Sequence, residues 1–379
     1  MTAFARKGVV FLLAVAACLS LAVTATATGA PAPLLLAVEG PQSGTQASNG
    51  LDQLRGVRLA VRQLNAHGGL WDGRKVVVFA ADDKAEAADA AAVELGVVAK
   101  GTRFVIGPYN SSVGVVNLPL YRANRVLPLW MTSLDATAGL GATLQPMNTQ
   151  ISPIEARYVA RSGAKHVAML VDDTANGAFT TGMAERLRAA LLRRGTSVTW
   201  TSVKEGQTGS YYANQVASAL STKPDFVYVS TYFPEGASIA NALAAEGGKP
   251  RCLMGLANVD TGFLAQTTLK QAQRCVFVSV PAAPEMPSAA TYVRQYRSVF
   301  ATTPGVWGSF TYDSAQILFR AIDRAKSYEL GAVERQLRRT KGFRGATGPI
   351  TIDPKTGYRT NVPVSILRVD GRGRFVIAR

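Results

Sequence analysis

Residues 103–112 read RFVIGPYNSS. A short apolar run, Phe104-Val105-Ile106, stops at Gly107-Pro108 and gives way to the polar cluster Asn110-Ser111-Ser112. That is the pattern of a buried parallel strand that ends at an exposed edge and passes into a helix. The hydroxyls then stand at the carboxyl end of a strand and at a helix N-terminus. Free N–H groups and the helix dipole there favour an anionic or polar ligand group. The plainer role for Ser111 or Ser112 is a helix cap, a position that serine favours.

Outward from this stretch the chain alternates strand and helix. Toward the N-terminus, Leu34–Val38 and Val76–Phe79 read as buried strands, and Leu51, Leu54, Val57, Val61 and Leu64 recur at helical spacing up to Gly68-Gly69. An alanine-rich helix is expected over 85–99 and a strand over Val126–Met131. Beyond residue 150 the alternation restarts, with strands at Val167–Val171, Val198–Trp200, Phe226–Val229, Cys252–Met254 and Val276–Val280. Helices near 180–194, 211–220, 235–245 and 261–269 separate them, and the end is strand-like at Ile350–Asp353 and Val362–Val369. The fold class is therefore α/β, with parallel sheets flanked by helices. A ligand between two such units meets the loops at the carboxyl ends of both sheets, namely Gln42–Asn49, Gly107–Ser112, Met131–Asp135 and Thr231–Glu235.

The chain has 379 residues, room for two domains, and its 47% hydrophobic and 17% charged content describes a globular protein with a large core. The net charge of +16 is high, but Arg186, Arg188, Arg193 and Arg194, like Arg335, Arg338, Arg339, Lys341 and Arg344, accompany no nucleic-acid motif. No nucleic acid partner is expected, and the charge reads as a solvated basic surface. At the N-terminus, Arg6 and Lys7 precede an apolar run from Val9 to Val23 and then Ala25-Thr26-Ala27. This is the pattern of a secretory signal over residues 1–27. Val15-Ala16-Ala17-Cys18 also has the form of a lipobox, so two exits stand open: cleavage near Ala27, or a lipid anchor on Cys18. In either case the protein is exported, to the periplasm or the extracytoplasmic membrane face. Cys252 and Cys275 remain; one disulfide and two buried thiols are both open.

Catalytic constellations are not found. His67 and His166 stand alone, no Cys/His spacing suits a metal, and there is no Walker loop or G-x-S-x-G elbow. No catalytic residue, metal or cofactor is assigned, and an enzyme is not expected.

Several segments in order resemble the extracytoplasmic solute-binding proteins of branched-chain amino acid and amide ABC importers. They are GPQSG (40–44), RGVRLAVRQLNAHGGLWDGRKV (55–76), FVIGPYNSS (104–112), LPLWMTS (127–133), PDFVYVSTYFPEG (224–236) and TYDSAQILFRAI (311–322). The resemblance implies two Rossmann-like lobes of the type I periplasmic binding fold, joined by three hinge crossovers and closing on a ligand. It places lobe 1 at 34–150 and 281–345, and lobe 2 at 151–280 and 346–379. It implies a monomer that delivers a small molecule to the permease and ATPase subunits of an ABC importer. A ligand sensor acting through a separate membrane partner is the alternative.

Residue by residue, the resemblance makes Ser111 the hydroxyl that binds the ligand carboxylate, with Asn110 beside it. Thr132 and Ser133 fall in the second ligand loop, Tyr232 is the tyrosine that closes from lobe 2, and Tyr312 is an aromatic near the cleft. Where amino acid binders carry an acid for the ligand ammonium, this chain reads MGLANVD (254–260), with Ala257 at the matching position and Asn258 and Asp260 nearby. Asn176, Asn49 and Leu134 also depart from the family's residues. A carboxylate, amide, urea-like or aromatic-acid ligand is therefore expected at least as much as an α-amino acid.

Overall fold

The computed structural model describes residues 31–247 and 249–378; the signal segment and Cys18 lie outside them. Strands β1 (Leu34–Gly40), β2 (Val76–Asp82), β3 (Phe104–Ile106) and β4 (Leu127–Leu129) pair in parallel in the order β2-β1-β3-β4. Helices α1 (Ala47–Ala66), α2 (Ala90–Ala99) and α3 (Ser111–Ala123) connect them. Phe104, Val105 and Ile106 are all fully buried, as expected for a parallel strand covered by helices on both faces.

The second sheet begins after α4 (Asn148–Arg161). It contains β5 (His166–Asp172), β6 (Ser197–Val203), β7 (Phe226–Ser230), β8 (Arg251–Met254) and β9 (Val276–Ser279). Their connections run through α5 (Ala178–Leu192), α6 (Gly209–Ser221), α7 (Phe233–Ala245), α8 (Thr261–Ala265) and α9 (Leu269–Ala272). The chain then returns to the first lobe as α10 (Ala290–Phe300), α11 (Gly308–Ala325), α12 (Leu330–Arg338) and a hairpin of β10 (Phe343–Gly345) and β11 (Gly348–Ile350). Finally β12 (Ser365–Val369) and β13 (Phe375–Ile377) add antiparallel strands to the second sheet, whose order is β13-β12-β9-β8-β7-β5-β6.

Each sheet reverses its winding once, between β1 and β3 in the first and between β5 and β7 in the second. Such switch points open a crevice at the carboxyl ends of the strands. The loops after β3 and β7, which hold Ser111 and Tyr232, stand at these two points. Gly107 shapes the first loop: its φ is +121°, and a Cβ there would lie 2.1 Å from the Glu39 carbonyl oxygen. Only glycine fits.

The chain crosses between lobes three times, and each crossing carries a proline: Pro146 before α4, Pro281 after β9 and Pro363 before β12. The last crossing falls later than the expected 345–346 boundary. The β10–β11 hairpin stays with the first lobe because Ala346 and Thr347 donate their N–H groups to Asp313 of α11, each at 2.8 Å. Arg359, buried, then donates to the Thr347 carbonyl at 2.8 Å, and Thr143 in the first crossing pairs with the same segment.

Three other expectations shift. The helix expected over 85–99 starts only at Ala90, because Asp83 accepts the Ala85 N–H at 2.9 Å and the chain turns through positive φ at Lys84 and Ala85. The helix expected over 261–269 breaks in two where Thr268 and Gln271 form a capping box, a new helix start. Strand β13 went unseen in the sequence.

Candidate functional site

Between the two switch points lies a small cavity lined by Tyr109, Ser111, Ser133 and Gln145 from the first-lobe side. Phe179, Tyr232, Leu256 and Ala257 close it from the second. Its volume is about 10 Å³, room for about one water molecule. The lobes are therefore shut on each other.

The Ser111 side chain does not cap its own helix. Asn110 is the cap residue of α3 and makes no side-chain cap bond. Instead the Ser111 hydroxyl accepts the N–H groups of Ser133 (3.3 Å) and Leu134 (3.2 Å), tying the loop after β3 to the loop after β4. With its oxygen accepting twice, the hydroxyl keeps one proton to donate. Ser133 likewise accepts from Gln145 Nε2 at 2.9 Å, while Gln145 Oε1 is buried without a partner.

The other expected residues divide. Tyr232 lines the cavity and packs against Phe179 at a tilt, with ring centroids 6.2 Å apart. Asn110 lies just behind: its Nδ2 donates to Gln46 at 3.0 Å, and its Oδ1 is buried and unpartnered. Thr132 turns away, sharing a 2.6 Å hydroxyl contact with Thr137 and packing its methyl toward Gly114. Asn258 is scaffolding, donating to the Thr231 carbonyl at 2.8 Å and so supporting the Tyr232 loop from behind. Tyr312 is remote on α11, where its hydroxyl donates to Gln63 at 2.8 Å. Tyr109, Gln145, Phe179 and Leu256 line the cavity without having been singled out. Tyr109 sat inside the GPYNSS stretch, and Gln145 is a lone amide where the first unit ends. Phe179 and Leu256 gave no signal beyond following a strand.

A sequence model described as periplasmic binding protein matches residues 34–374. The chain belongs to the periplasmic binding protein family. The Leu/Ile/Val-binding protein BraC3 of Rhizobium johnstonii is 28% identical over 92% of this chain and 95% of its own. A leucine-binding protein of Thermotoga maritima superposes with a TM-score of 0.83 at 20% identity, covering 91% of this chain and 98% of that one. A solute-binding protein of Rhodopseudomonas palustris BisB5, solved with 3,4-dihydroxybenzoic acid, superposes with a TM-score of 0.75 at 20% identity over 91% and 96% of the two chains.

This periplasmic binding protein holds its lobes together by polar contacts around the cavity. Ser48 donates to Asp260 at 2.9 Å, and Arg186 pairs with Asp135 at 2.5 Å. Asn176 Nδ2 donates to Glu86 at 2.9 Å while its Oδ1 accepts the Ala87 N–H at 3.1 Å. Leu134 adds an apolar contact, packing toward Gly182 of α5. Burial pushes the Tyr109 and Tyr232 phenols up, so both stay protonated and able to donate. Burial also raises Asp172 and lifts Glu235 to about 7; these two and Glu205 stand near one another on the second lobe. Among the described residues none of the three has a basic side chain in ion-pair contact.

The cysteines are joined: Cys252 and Cys275 form a disulfide with an S–S distance of 2.04 Å. Leu253 pairs with Val276 between parallel β8 and β9, which sets the preceding residues, the two cysteines, side by side. Among the described residues no helix is long and apolar enough to cross a membrane, and no group of acids, histidines and cysteines is placed to hold a metal ion.

Proposed function

We propose that this protein captures a small carboxylate-bearing solute between its lobes outside the cytoplasm and presents it to an ABC importer. The observation that carries the reading is Ser111. It lines the interlobe cavity with its oxygen accepting from two N–H groups, which leaves its own proton to donate to an incoming acceptor. Ser133, Tyr109 and Tyr232 supply further hydroxyls. A cavity of about 10 Å³ admits no amino acid, so a ligand enters with the lobes apart and is enclosed as they hinge about the three proline-bearing crossings.

The solutes of two related structures narrow the class. A Streptococcus pneumoniae LivJ protein, 22% identical, was solved with isoleucine, and the Rhodopseudomonas palustris protein with 3,4-dihydroxybenzoic acid. Those two ligands share a carboxylate and little else. Ala257 leaves no acid at the position matched to an ammonium partner, which favours a carboxylate without an ammonium group over an ordinary amino acid.

Native mass spectrometry of the purified protein tests this directly, followed by melting curves against branched-chain amino acids, their 2-oxo acids, amides and benzoic acids. One carboxylate that raises the melting temperature, with the response lost in Tyr232→Ala, is expected. A response to none of them, or turnover of the bound compound, would refute the proposal.

A further inference from the structure

A second cavity is far larger than the one between Ser111 and Tyr232. A chamber of about 600 Å³ opens between the lobes on another side, within the range of small-molecule sites. Its first-lobe wall is the start of α1, the end of α10 and residues 302–306; its second-lobe wall is α8 and the turn before β13. Leu51, Leu264, Pro284, Pro304, Val306 and Phe375 make much of the surface apolar.

Its charged groups are unequally engaged. Asp52 accepts from Tyr296 (2.9 Å), Gly305 N–H (3.1 Å) and Gly308 N–H (2.7 Å). Asp260 accepts from Ser48 and from the Gly262 N–H, and Glu285 faces Arg374 at 3.8 Å. Arg55 and Arg297 also line the chamber, and among the described residues neither has a carboxylate within 4.0 Å. Arg55 lies against the Tyr296 hydroxyl and is attracted to Asp52, which already has three donors, so neither guanidinium is neutralised by an ion pair of its own. A guanidinium in such a setting suits a carboxylate, which it binds through paired N–H groups.

We infer that this chamber is a second binding site, for a small organic carboxylate with an apolar chain, its acid group on Arg55 and Arg297 and its chain against Leu264, Pro304 and Phe375. Because both lobes wall the chamber, and the Ser48–Asp260 contact lies at its edge, a ligand there favours the closed arrangement. The site is separate from the central cavity, so it does not rest on the function proposed above.

Isothermal calorimetry with octanoate, octanamide and octylamine on the mature protein tests the assignment. Octanoate is expected to bind at one site per chain, and the amide and amine at least tenfold more weakly. Arg297→Gln, an exposed substitution on α10, and Arg55→Gln should each weaken octanoate at least tenfold, with Arg297→Gln keeping the wild-type melting curve. Equal binding of the amide, or unchanged affinity in Arg297→Gln, would overturn the site. Loss of octanoate binding in Ser111→Ala would also overturn it, by placing the carboxylate in the central cavity.

Discussion

Ser48 on the first lobe donates its hydroxyl to Asp260 on the second at 2.9 Å, joining residues 212 positions apart. Asp260 is 5% exposed and also accepts the Gly262 N–H as the cap of α8. A hydrogen bond to a buried carboxylate contributes about 1.5–3 kcal/mol. It exists only with the lobes closed, so Ser48→Ala is expected to favour the open form and weaken binding of the central ligand by about tenfold or more. Small-angle scattering of the ligand-free variant should show a larger radius of gyration. An unchanged radius and unchanged affinity would show that the contact does not govern closure.

Ser111 and Ser112 are neighbours with opposite expected costs. Ser111→Ala leaves the buried Ser133 and half-buried Leu134 N–H groups without their acceptor, a loss of about 1–3 kcal/mol in stability together with most of the ligand affinity. The Ser112 hydroxyl is buried with no partner. Ser112→Ala is expected to be neutral or slightly stabilising in urea unfolding. Equal losses in the two variants would contradict this division.

Most of the strands were legible because buried parallel strands are short apolar runs: FVI at 104–106 and FVYV at 226–229 leave little choice. The loops at the switch points were legible for the same reason. Side-chain direction was not. Thr132 and Ser133 are adjacent in one loop, yet Ser133 lines the cavity while Thr132 packs behind it, and no spacing rule separates the two. Tyr312 sits in a helical pattern that shows burial but not which partner is buried against it. Gln145 lies in a crossing with no periodicity at all. The late boundary depended on Asp313 reaching Ala346 and Thr347, a contact across more than 30 residues.

The Cys252–Cys275 bond closes a 23-residue separation between neighbouring strands. Cross-linking a loop of that size stabilises by about 3 kcal/mol in the chain-entropy view. Cys252→Ser with Cys275→Ser is expected to lower the melting temperature by several degrees while leaving the cavity intact, since neither residue lines it. Mass spectrometry after alkylation should find both cysteines blocked only when a reductant is added. Alkylation without reductant would show two free thiols.

Glu155 of α4 is fully buried, and burial lifts its carboxyl from 4.5 to about 8, with the Tyr228 hydroxyl donating to Oε1 at 2.9 Å and pulling it partly back. Its other oxygen has no partner. The folded pKa lies above the unfolded one, so between about pH 4.5 and about pH 8 the native protein holds a proton that the unfolded chain has released. This contribution to stability is present in full below the unfolded pKa and falls as pH rises, by about 1.4 kcal/mol for each pH unit across the window. Glu155→Gln keeps the acceptor for Tyr228 and removes the titration. Relative to the wild type the variant is expected to gain stability steadily from pH 5 to pH 8 in urea unfolding. Buried Glu39 and Asp83, raised in the same direction by burial, act in both proteins and cancel in the comparison. Parallel stability profiles for the two proteins across that range would show that Glu155 does not titrate there.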